Sequence, residues 1–366
     1  MKAANKFHEM GQSLWQDGIT RDMLDDGRLK RAIEEWSVTG LTFDPFLFTQ
    51  AIRSSSIYDD AIGKRLKKEM VGEELLFDLA LEDLRHAADL FRPIHDRSDG
   101  LDGWVAIGVS PLIAHDAGSA LASAKDLYRR AGRPNFLVTI PGSRVCLPAV
   151  EEAIEAGVPV NVELLFSREH YLAAAEAYLR GTERRVAAGL SPCIASIASL
   201  TVERWDAAVA GRAPEGLDNQ LGIAVARRTY KAFRELLHSP RWERAFNAGA
   251  RPQRLLWAGT GAAAAKENAL SYAGALAAPM TVHTMPEGTL RDFFERKEPC
   301  SLMPAAGGDC ESVLARFEDG GHHIDALADR FQEEEADWRV KSWIELLSVI
   351  ASKCAALAAP QSQPSL

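Results

Sequence analysis

Three carboxylates, Asp17, Asp44 and Glu163, lie in or directly at the ends of short apolar segments that are predicted to be β-strands. When like charges meet in one cavity, the pKa of at least one carboxyl group rises, and burial adds to the effect. Such a cluster can provide an acid and a base near neutral pH. The same oxygen atoms would suit a hard divalent metal such as Mg²⁺, Mn²⁺ or Ca²⁺. A third alternative is that one carboxylate only pairs with an arginine or a hydroxyl group as a structural contact.

The elements that must position these carboxylates alternate along the whole chain. Short apolar runs are followed by longer helical patterns, which is typical of βα units and a parallel sheet. Eight such units predict a single (β/α)₈ TIM barrel, an α/β fold whose reacting groups sit at the carboxyl ends of the strands. The predicted strands are Ser13–Asp17, Thr39–Asp44, Trp104–Val109, Phe136–Ile140, Val160–Phe166, Cys193–Ser199, Arg254–Ala258 and Thr281–Thr284.

Extra helices are expected around this barrel. The span from Tyr58 to Phe91 is long enough for two helices, and Ile324–Lys353 predicts one or two amphipathic helices with the acidic run Glu333–Glu335 on a solvated face. No linker divides the chain, so we expect one barrel domain over residues 1–357 and a disordered tail over residues 358–366.

Composition argues against several other classes of protein. The formal charge of -9 argues against a nucleic-acid-binding surface, which would need a basic stripe. No apolar run approaches the roughly 20 residues of a membrane span, and the N-terminal segment lacks the apolar core of a signal peptide. The five cysteines are scattered without a Cys-x-x-Cys pair, which indicates neither a zinc knuckle nor a redox dithiol. We therefore expect a soluble, cytoplasmic protein that binds a small molecule and neither nucleic acid nor membrane.

Several sequence blocks follow one another in a fixed order along the chain and together carry a family resemblance. The blocks are Leu14–Asp17, Ser37–Pro45, Val160–Ser167, Ser196–Ser199 with Val202–Arg204, Arg254–Ala258 and Thr281–Pro286. In this order they resemble the transaldolase family, in its longer bacterial type, from about Leu14 to about Leu357. The resemblance implies a TIM barrel that works on sugar phosphates in carbohydrate metabolism, with Asp17 as a catalytic residue.

The resemblance also shows that a lysine is missing. Asn135–Gly142 is similar to the strand on which transaldolases carry their Schiff-base lysine, and Thr139 occupies the position of that lysine. A Schiff base needs an amine, which a threonine hydroxyl cannot supply. Between Lys125 and Lys231 the chain contains no lysine, so a displaced lysine would have to come from a distant loop.

Three further departures from the family pattern fall where the chemistry should be. Gly108 stands in place of a glutamate that helps to position the catalytic water, and Glu163 replaces the threonine that shares this water. Asp44 replaces an asparagine. Because side chains alternate along a strand, Asn161 and Glu163 are predicted to point the same way, into the barrel mouth. We interpret these changes as a carboxylate that has moved across the site.

The resemblance implies an anionic substrate, most simply a sugar phosphate. Arg204 and Arg254 match the two arginines that grip the phosphate, and a guanidinium fork suits phosphate oxygens. The alternative is that each arginine ties down a loop through an ion pair. Ser199 would help the two arginines to hold the anionic end, and Thr42 is retained at a strand end as a further substrate-binding residue. Trp257 is expected either to line the cavity or to pack in the core.

The first functional hypothesis is an enzyme that uses carboxylate acid/base chemistry without a Schiff base and without a cofactor. Glu163 and Asp17 would be the acid/base pair, Asp44 would tune or share the proton, and Thr139 and Asn161 would hydrogen-bond the substrate. Aldol or retro-aldol cleavage, isomerisation, dehydration and cyclisation of a phosphorylated sugar or a related carbonyl or polyol compound all fit, with specialised metabolism as one setting. The alternatives are a non-catalytic sugar-phosphate sensor or partner subunit, and a transaldolase with a displaced lysine. Family transaldolases are often dimers, so a homodimer is also among the expectations.

Overall fold

The computed structural model describes residues 7–259, 272–295 and 302–358 of the chain. Within these ranges eight parallel strands close into a barrel in chain order, and the first strand pairs with the eighth. The predicted TIM barrel is therefore confirmed. The strands are β1 (Gln12–Asp17), β2 (Val38–Thr42), β3 (Trp104–Gly108), β4 (Phe136–Pro141), β5 (Val160–Leu165), β6 (Ser196–Thr201), β7 (Arg254–Ala258) and β8 (Thr281–Pro286).

The observed strands begin and end close to the predicted ones. The largest difference is in β6, which spans Ser196–Thr201 instead of Cys193–Ser199, and the end of β2 also differs. Strand β2 ends at Thr42 instead of Asp44. Asp44 is the N-cap residue of the next helix, where its side chain accepts a hydrogen bond from the Phe46 N–H at 2.8 Å. Pro45 is the first residue of that helix, a position that suits the fixed φ of proline. The capping chemistry of this pair therefore ends the strand.

Helices follow the strands and surround the barrel. They are α1 (Arg21–Asp25), α2 (Arg28–Glu35), α3 (Pro45–Ser54), α4 (Asp59–Leu66), α5 (Gly72–Arg97), α6 (Ala117–Ala131), α7 (Leu147–Glu155), α8 (Arg168–Ala187), α9 (Glu203–Ala208), α10 (Leu221–Leu237), α11 (Pro240–Asn247), α12 (Glu287–Glu295), α13 (Cys310–Asp319) and α14 (Ile324–Ala358). The predicted pair of helices between β2 and β3 is confirmed as α4 and α5. The C-terminal segment forms one helix of 35 residues, α14. No helix in the described ranges has the length and apolar character needed to cross a membrane.

A layer of apolar side chains fills the middle of the barrel. Gly40 of β2 makes room for the largest of them, because a Cβ at Gly40 would lie 2.3 Å from the Trp15 ring. This layer separates the amino end of the barrel from the carboxyl end. Its members are Trp15, Trp104, Ala106, Leu137, Ile197, Leu256 and Val282.

The long helix α14 crosses the carboxyl end of the barrel. Near its start Phe331 packs against Phe166, which follows β5, with ring centroids 5.9 Å apart. Farther along, Trp343 packs on Phe77 of α5, and the last turns contact α3 and α4. The carboxyl end is the face on which TIM barrels build their sites, so α14 runs over the predicted site.

Candidate active site

Asp17 and Thr42 form one side of the site, at the carboxyl ends of β1 and β2. The two residues are paired in register, and the Thr42 hydroxyl donates a hydrogen bond to Asp17 Oδ1 at 2.6 Å. Burial, together with the nearby charge of Asp44, raises the pKa of Asp17 from its ordinary value of 3.8 to about 6, against the opposing effect of the Thr42 hydrogen bond and Arg339. The site therefore contains a carboxyl group that can hold a proton close to neutral pH.

Asp44 approaches the same space from the start of α3. Burial raises the pKa of Asp44, although the N–H groups of Phe46 and Leu47 donate to its carboxylate and favour the charged form. The charge of Asp44 also contributes to the raised pKa of Asp17, so the two carboxyl groups interact. Carboxyl groups that interact in this way titrate as a pair.

A chain of buried polar side chains crosses β4, β5 and β6 inside the barrel. The Ser199 hydroxyl donates to Asn161 Oδ1 at 2.7 Å, and Asn161 Nδ2 donates to Thr139 Oγ1 at 3.2 Å. All three side chains are buried, with exposed fractions of 3–6%. The chain holds Thr139 and Asn161 in fixed positions on adjacent strands, where they can serve as hydrogen-bonding partners of a ligand.

Open space lies beside this chain at Gly108. Gly108 is paired with Thr139 across β3 and β4, and a Cβ at Gly108 would meet no atom within 4 Å. The backbone of Gly108 does not lie in the left-handed region, so its conformation does not require glycine. The missing side chain therefore leaves room that a substrate or a water molecule could fill.

Glu163 lies on β5 and forms an ion pair with α14. Arg339 Nη1 is 2.6 Å from Glu163 Oε1. Directly after Glu163 the register between β5 and β6 shifts, and Leu164 has a φ of 60°, in the left-handed region. A bulge of this kind redirects side chains and is frequent next to active sites. Here Leu164 packs into the apolar cluster with Phe166 beneath α14, whereas Glu163 meets Arg339.

Arg339 is the residue of this site that was not predicted from the sequence. Its positive charge interacts favourably with the carboxylates of Glu163 and Asp17. It also lowers the pKa of Asp44, against the larger effect of burial. An arginine near an acidic run is common on a solvated helix, so its type and spacing carried no signal. Only the path of α14 across the mouth brings it to the strands.

Arg204 lies at the carboxyl end of β6, as expected, but it is engaged by α14. Its guanidinium donates to Glu334 at 2.8 Å and to Glu335 at 3.1 Å, and it stacks over the Phe331 ring at 5.4 Å. Glu333 and Glu334 are exposed, as predicted for a solvated face, whereas Glu335 is half-buried. The prediction missed that Glu334 and Glu335 also form ion pairs with Arg204.

Arg254 does not lie at the mouth of the barrel, and this prediction was wrong. It is the first residue of β7, so it sits at the amino end, below the apolar layer. Its guanidinium donates to Ser13 Oγ at 2.7 Å, to the Thr281 carbonyl at 2.8 Å and to the Leu101 carbonyl at 2.9 Å. Burial lowers the pKa of Arg254, and Asp102, 3.8 Å away, partly offsets this effect. The arginine ties the base of the barrel together.

Trp257 does not line the cavity, because its side chain faces outward from β7. It belongs to the large core between the barrel and the helices, and its indole N–H donates to the Leu276 carbonyl at 3.0 Å. Arg254 and Trp257 are three positions apart on one strand, so they face opposite sides of the sheet. Because side chains alternate along a strand, the sequence could already have shown that Arg254 and Trp257 cannot both face the barrel interior.

The structure does not support the alternative of a hard metal at Asp17, Asp44 and Glu163. Over residues 7–259, 272–295 and 302–358, no three His, Cys, Asp or Glu side chains are arranged to hold a metal ion. The positive charge among the three carboxylates comes from Arg339.

A displaced lysine is also not found among the described residues. No lysine in those ranges is buried, so none of them projects into the barrel interior beside Thr139. Lys266, which follows β7 in the chain, lies outside the described residues.

The similarity of this chain to known proteins extends over nearly its whole length. The model of the family described as Transaldolase/Fructose-6-phosphate aldolase matches residues 14–350. A protein named Transaldolase 2 from Nostoc sp. is 31% identical, over 95% of this chain and 96% of that protein. The transaldolase of Thiobacillus denitrificans is 34% identical, over 96% of this chain and 100% of its own length. The transaldolase of Trichodesmium erythraeum is 35% identical, over 95% and 96% of the two chains.

Proposed function

This chain belongs to the transaldolase and fructose-6-phosphate aldolase family, and we propose that it moves protons on a phosphorylated sugar or a related carbonyl or polyol compound without a lysine Schiff base. The match of the family model to residues 14–350 shows this membership. Thr139, at the position that the resemblance assigns to the reactive lysine, supports a change in the chemistry.

One observation carries the proposal: the mouth holds two carboxyl groups in different surroundings. Glu163 forms an ion pair with Arg339, whereas Asp17 has its pKa raised to about 6. Two carboxyl groups in different environments are the usual way for one site to supply a base and an acid near neutral pH. Glu163 would remove a proton next to the substrate carbonyl, and Asp17 would deliver one to the oxygen.

The neighbouring polar residues would hold the substrate for this transfer. Thr139 and Asn161, fixed by the hydrogen bond from Ser199, would bind a carbonyl or hydroxyl oxygen of the substrate. Asp44 would share the proton of Asp17, since the two groups interact electrostatically. The space beside Gly108 would take part of the carbon chain. Aldol or retro-aldol cleavage, isomerisation, dehydration and cyclisation all begin with such a proton transfer.

The common proton-transfer step can be tested without knowledge of the final product. In D₂O, the wild-type protein should exchange the hydrogens next to the carbonyl of dihydroxyacetone, dihydroxyacetone phosphate or fructose 6-phosphate, as followed by proton NMR. Glu163→Gln should slow this exchange at least about 100-fold, because the amide cannot accept the proton. Glu169→Gln is the matched control, since Glu169 is exposed on α8 and pairs with Arg168.

A Schiff-base enzyme would also exchange these hydrogens, so a second measurement separates the two mechanisms. After incubation with each compound and borohydride, the intact mass of the wild-type protein should be unchanged. A reduced adduct would show that a lysine forms an imine, and full exchange activity in the Glu163→Gln variant would show that Glu163 is not the base. Either result contradicts the proposal. Binding of these compounds with no exchange would favour the non-catalytic sugar-phosphate sensor.

A further inference from the structure

The anion-binding arginine that the resemblance assigns to the mouth is already occupied by carboxylates of the protein itself. Arg204 donates to Glu334 and Glu335 of α14 at 2.8 and 3.1 Å. Its guanidinium also covers the Phe331 ring. The donors that would meet phosphate oxygens therefore already meet two carboxylates.

These glutamates are held in place by the buried side of α14. Phe331 is 2% exposed and packs with Phe166 and Trp205. In the next position, Gln332 Nε2 donates to the Leu164 carbonyl at 2.7 Å. Because this turn of the helix is anchored to the barrel, the carboxylates next to it are presented to Arg204 by a packed element.

The other charges at this part of the mouth also disfavour a phosphate. Arg330 lies 3.5 Å from Glu334, and Arg339 pairs with Glu163. Each of these guanidinium groups is thus matched by a carboxylate within the described residues. A dianion at Arg204 would have to displace the existing ion pairs with Glu334 and Glu335.

We infer that Arg204 serves as the internal counter-ion of the C-terminal helix and that the substrate carries no phosphate at the Arg204 end. The substrate class would then be a carbonyl or polyol compound that is uncharged at this end, which narrows the proposed function and rests on it. The glutamates of α14 would act as specificity residues, because they occupy the guanidinium and exclude a dianion by repulsion.

Calorimetric titration with fructose and fructose 6-phosphate tests this inference, because the two compounds differ by the phosphate group. For the wild-type protein the two dissociation constants should agree within about 3-fold, and Arg204→Ala should change neither by more than that factor. In the double variant Glu334→Gln/Glu335→Gln, the released guanidinium should tighten fructose 6-phosphate at least about 10-fold, with little change for fructose. Adding Arg204→Ala to the double variant should remove this gain.

The matched control is Glu333→Gln/Asp337→Asn. It removes the same charge from the same helix at two exposed positions that form no ion pair within the described ranges. It should show no gain for fructose 6-phosphate. Circular dichroism should confirm that each variant is folded.

The inference is overturned if the wild-type protein binds fructose 6-phosphate at least about 10-fold tighter than fructose and Arg204→Ala abolishes the difference. That comparison decides the matter even if the double variant does not fold. If neither sugar binds the wild-type protein, a gain in the folded double variant supports the inference, and the lack of a gain contradicts it. All of these readouts are binding constants, so a protein that fails the exchange assay still gives a decisive result here.

Discussion

At the scale of single residues, the site depends on how burial and neighbouring charges are divided among its carboxyl groups. Glu163 has a guanidinium partner, whereas Asp17 has a hydroxyl partner and another carboxylate nearby. Burial and the nearby Asp44 carboxylate raise the pKa of Asp17 and disfavour its charged form in the folded protein, against the opposing hydrogen bond from Thr42. The raised pKa of Asp17 can be tested by measuring protein stability, without knowledge of the substrate.

The folded-state pKa of Asp17 is raised, so its effect on stability has a definite sign. The native state binds this proton more tightly than the unfolded state does, so stability is lost as the pH rises from about 4 to about 6. Relative to Asp17→Asn, the free energy of unfolding of the wild-type protein should fall across this window by at most about 3 kcal/mol. Urea unfolding at several pH values measures it.

The variant Asp337→Asn is the control, because Asp337 is exposed on α14. Its stability should follow that of the wild-type protein at every pH. If the wild-type and Asp17→Asn curves run parallel between pH 4 and pH 7, the raised pKa of Asp17 is wrong.

At the scale of elements, α14 completes the site from outside the barrel sheet. It supplies Arg339 to the mouth and two glutamates to Arg204. The bulge of β5 after Glu163 is the matching feature on the barrel side, because it separates the buried Leu164 from the paired Glu163. The position of α14 therefore controls the charge of the site.

Trp343 is a principal anchor of this helix. Its side chain is 3% exposed, packs on Phe77 and donates to the Glu73 carboxylate. Trp343→Ala should cost about 3–5 kcal/mol of unfolding free energy and make α14 easier to cleave by a protease. Trp338 lies on the same helix with 51% exposure, so Trp338→Ala should change stability by less than about 0.5 kcal/mol. Similar losses for both variants would mean that α14 is not anchored through Trp343.

At the scale of the whole molecule, the two ends of the barrel have different roles. The amino end is closed by the buried contacts of Arg254 with Ser13 and two carbonyl groups. The carboxyl end carries Asp17, Asp44 and the Glu163–Arg339 ion pair, beside the open space at Gly108. TIM barrels in general keep stability at the first end and chemistry at the second.

Replacing Arg254 should therefore affect stability and leave ligand binding unchanged. Arg254→Met removes the donors to buried acceptors and the charge beside the buried Asp102, which should cost about 3–5 kcal/mol. Arg251→Met is the matched control at the same end, because its partner Asp99 is 96% exposed. This variant should lose about 1 kcal/mol of unfolding free energy or less, as is usual for a surface ion pair. If the folded Arg254→Met protein binds fructose 6-phosphate with a larger dissociation constant than the wild-type protein does, Arg254 belongs to the site after all.

The barrel and the inward direction of Asn161 could be predicted from the sequence alone. They follow from local patterns, since apolar runs and the alternation of side chains are properties of neighbouring positions. Asp17 and Thr139 were placed at the site by the family resemblance. The partners of Glu163 and Arg204 could not be predicted in this way, because Arg339, Glu334 and Glu335 come from a helix far away in the chain.

The end of the barrel at which Arg254 lies could likewise not be predicted from local patterns. A strand of five residues fixes which side chains share a face, but its register against its neighbours fixes their height in the barrel. That register depends on hydrogen bonds to β6 and β8, which no local pattern specifies. The charges at the mouth likewise depend on contacts between residues that are far apart in the chain.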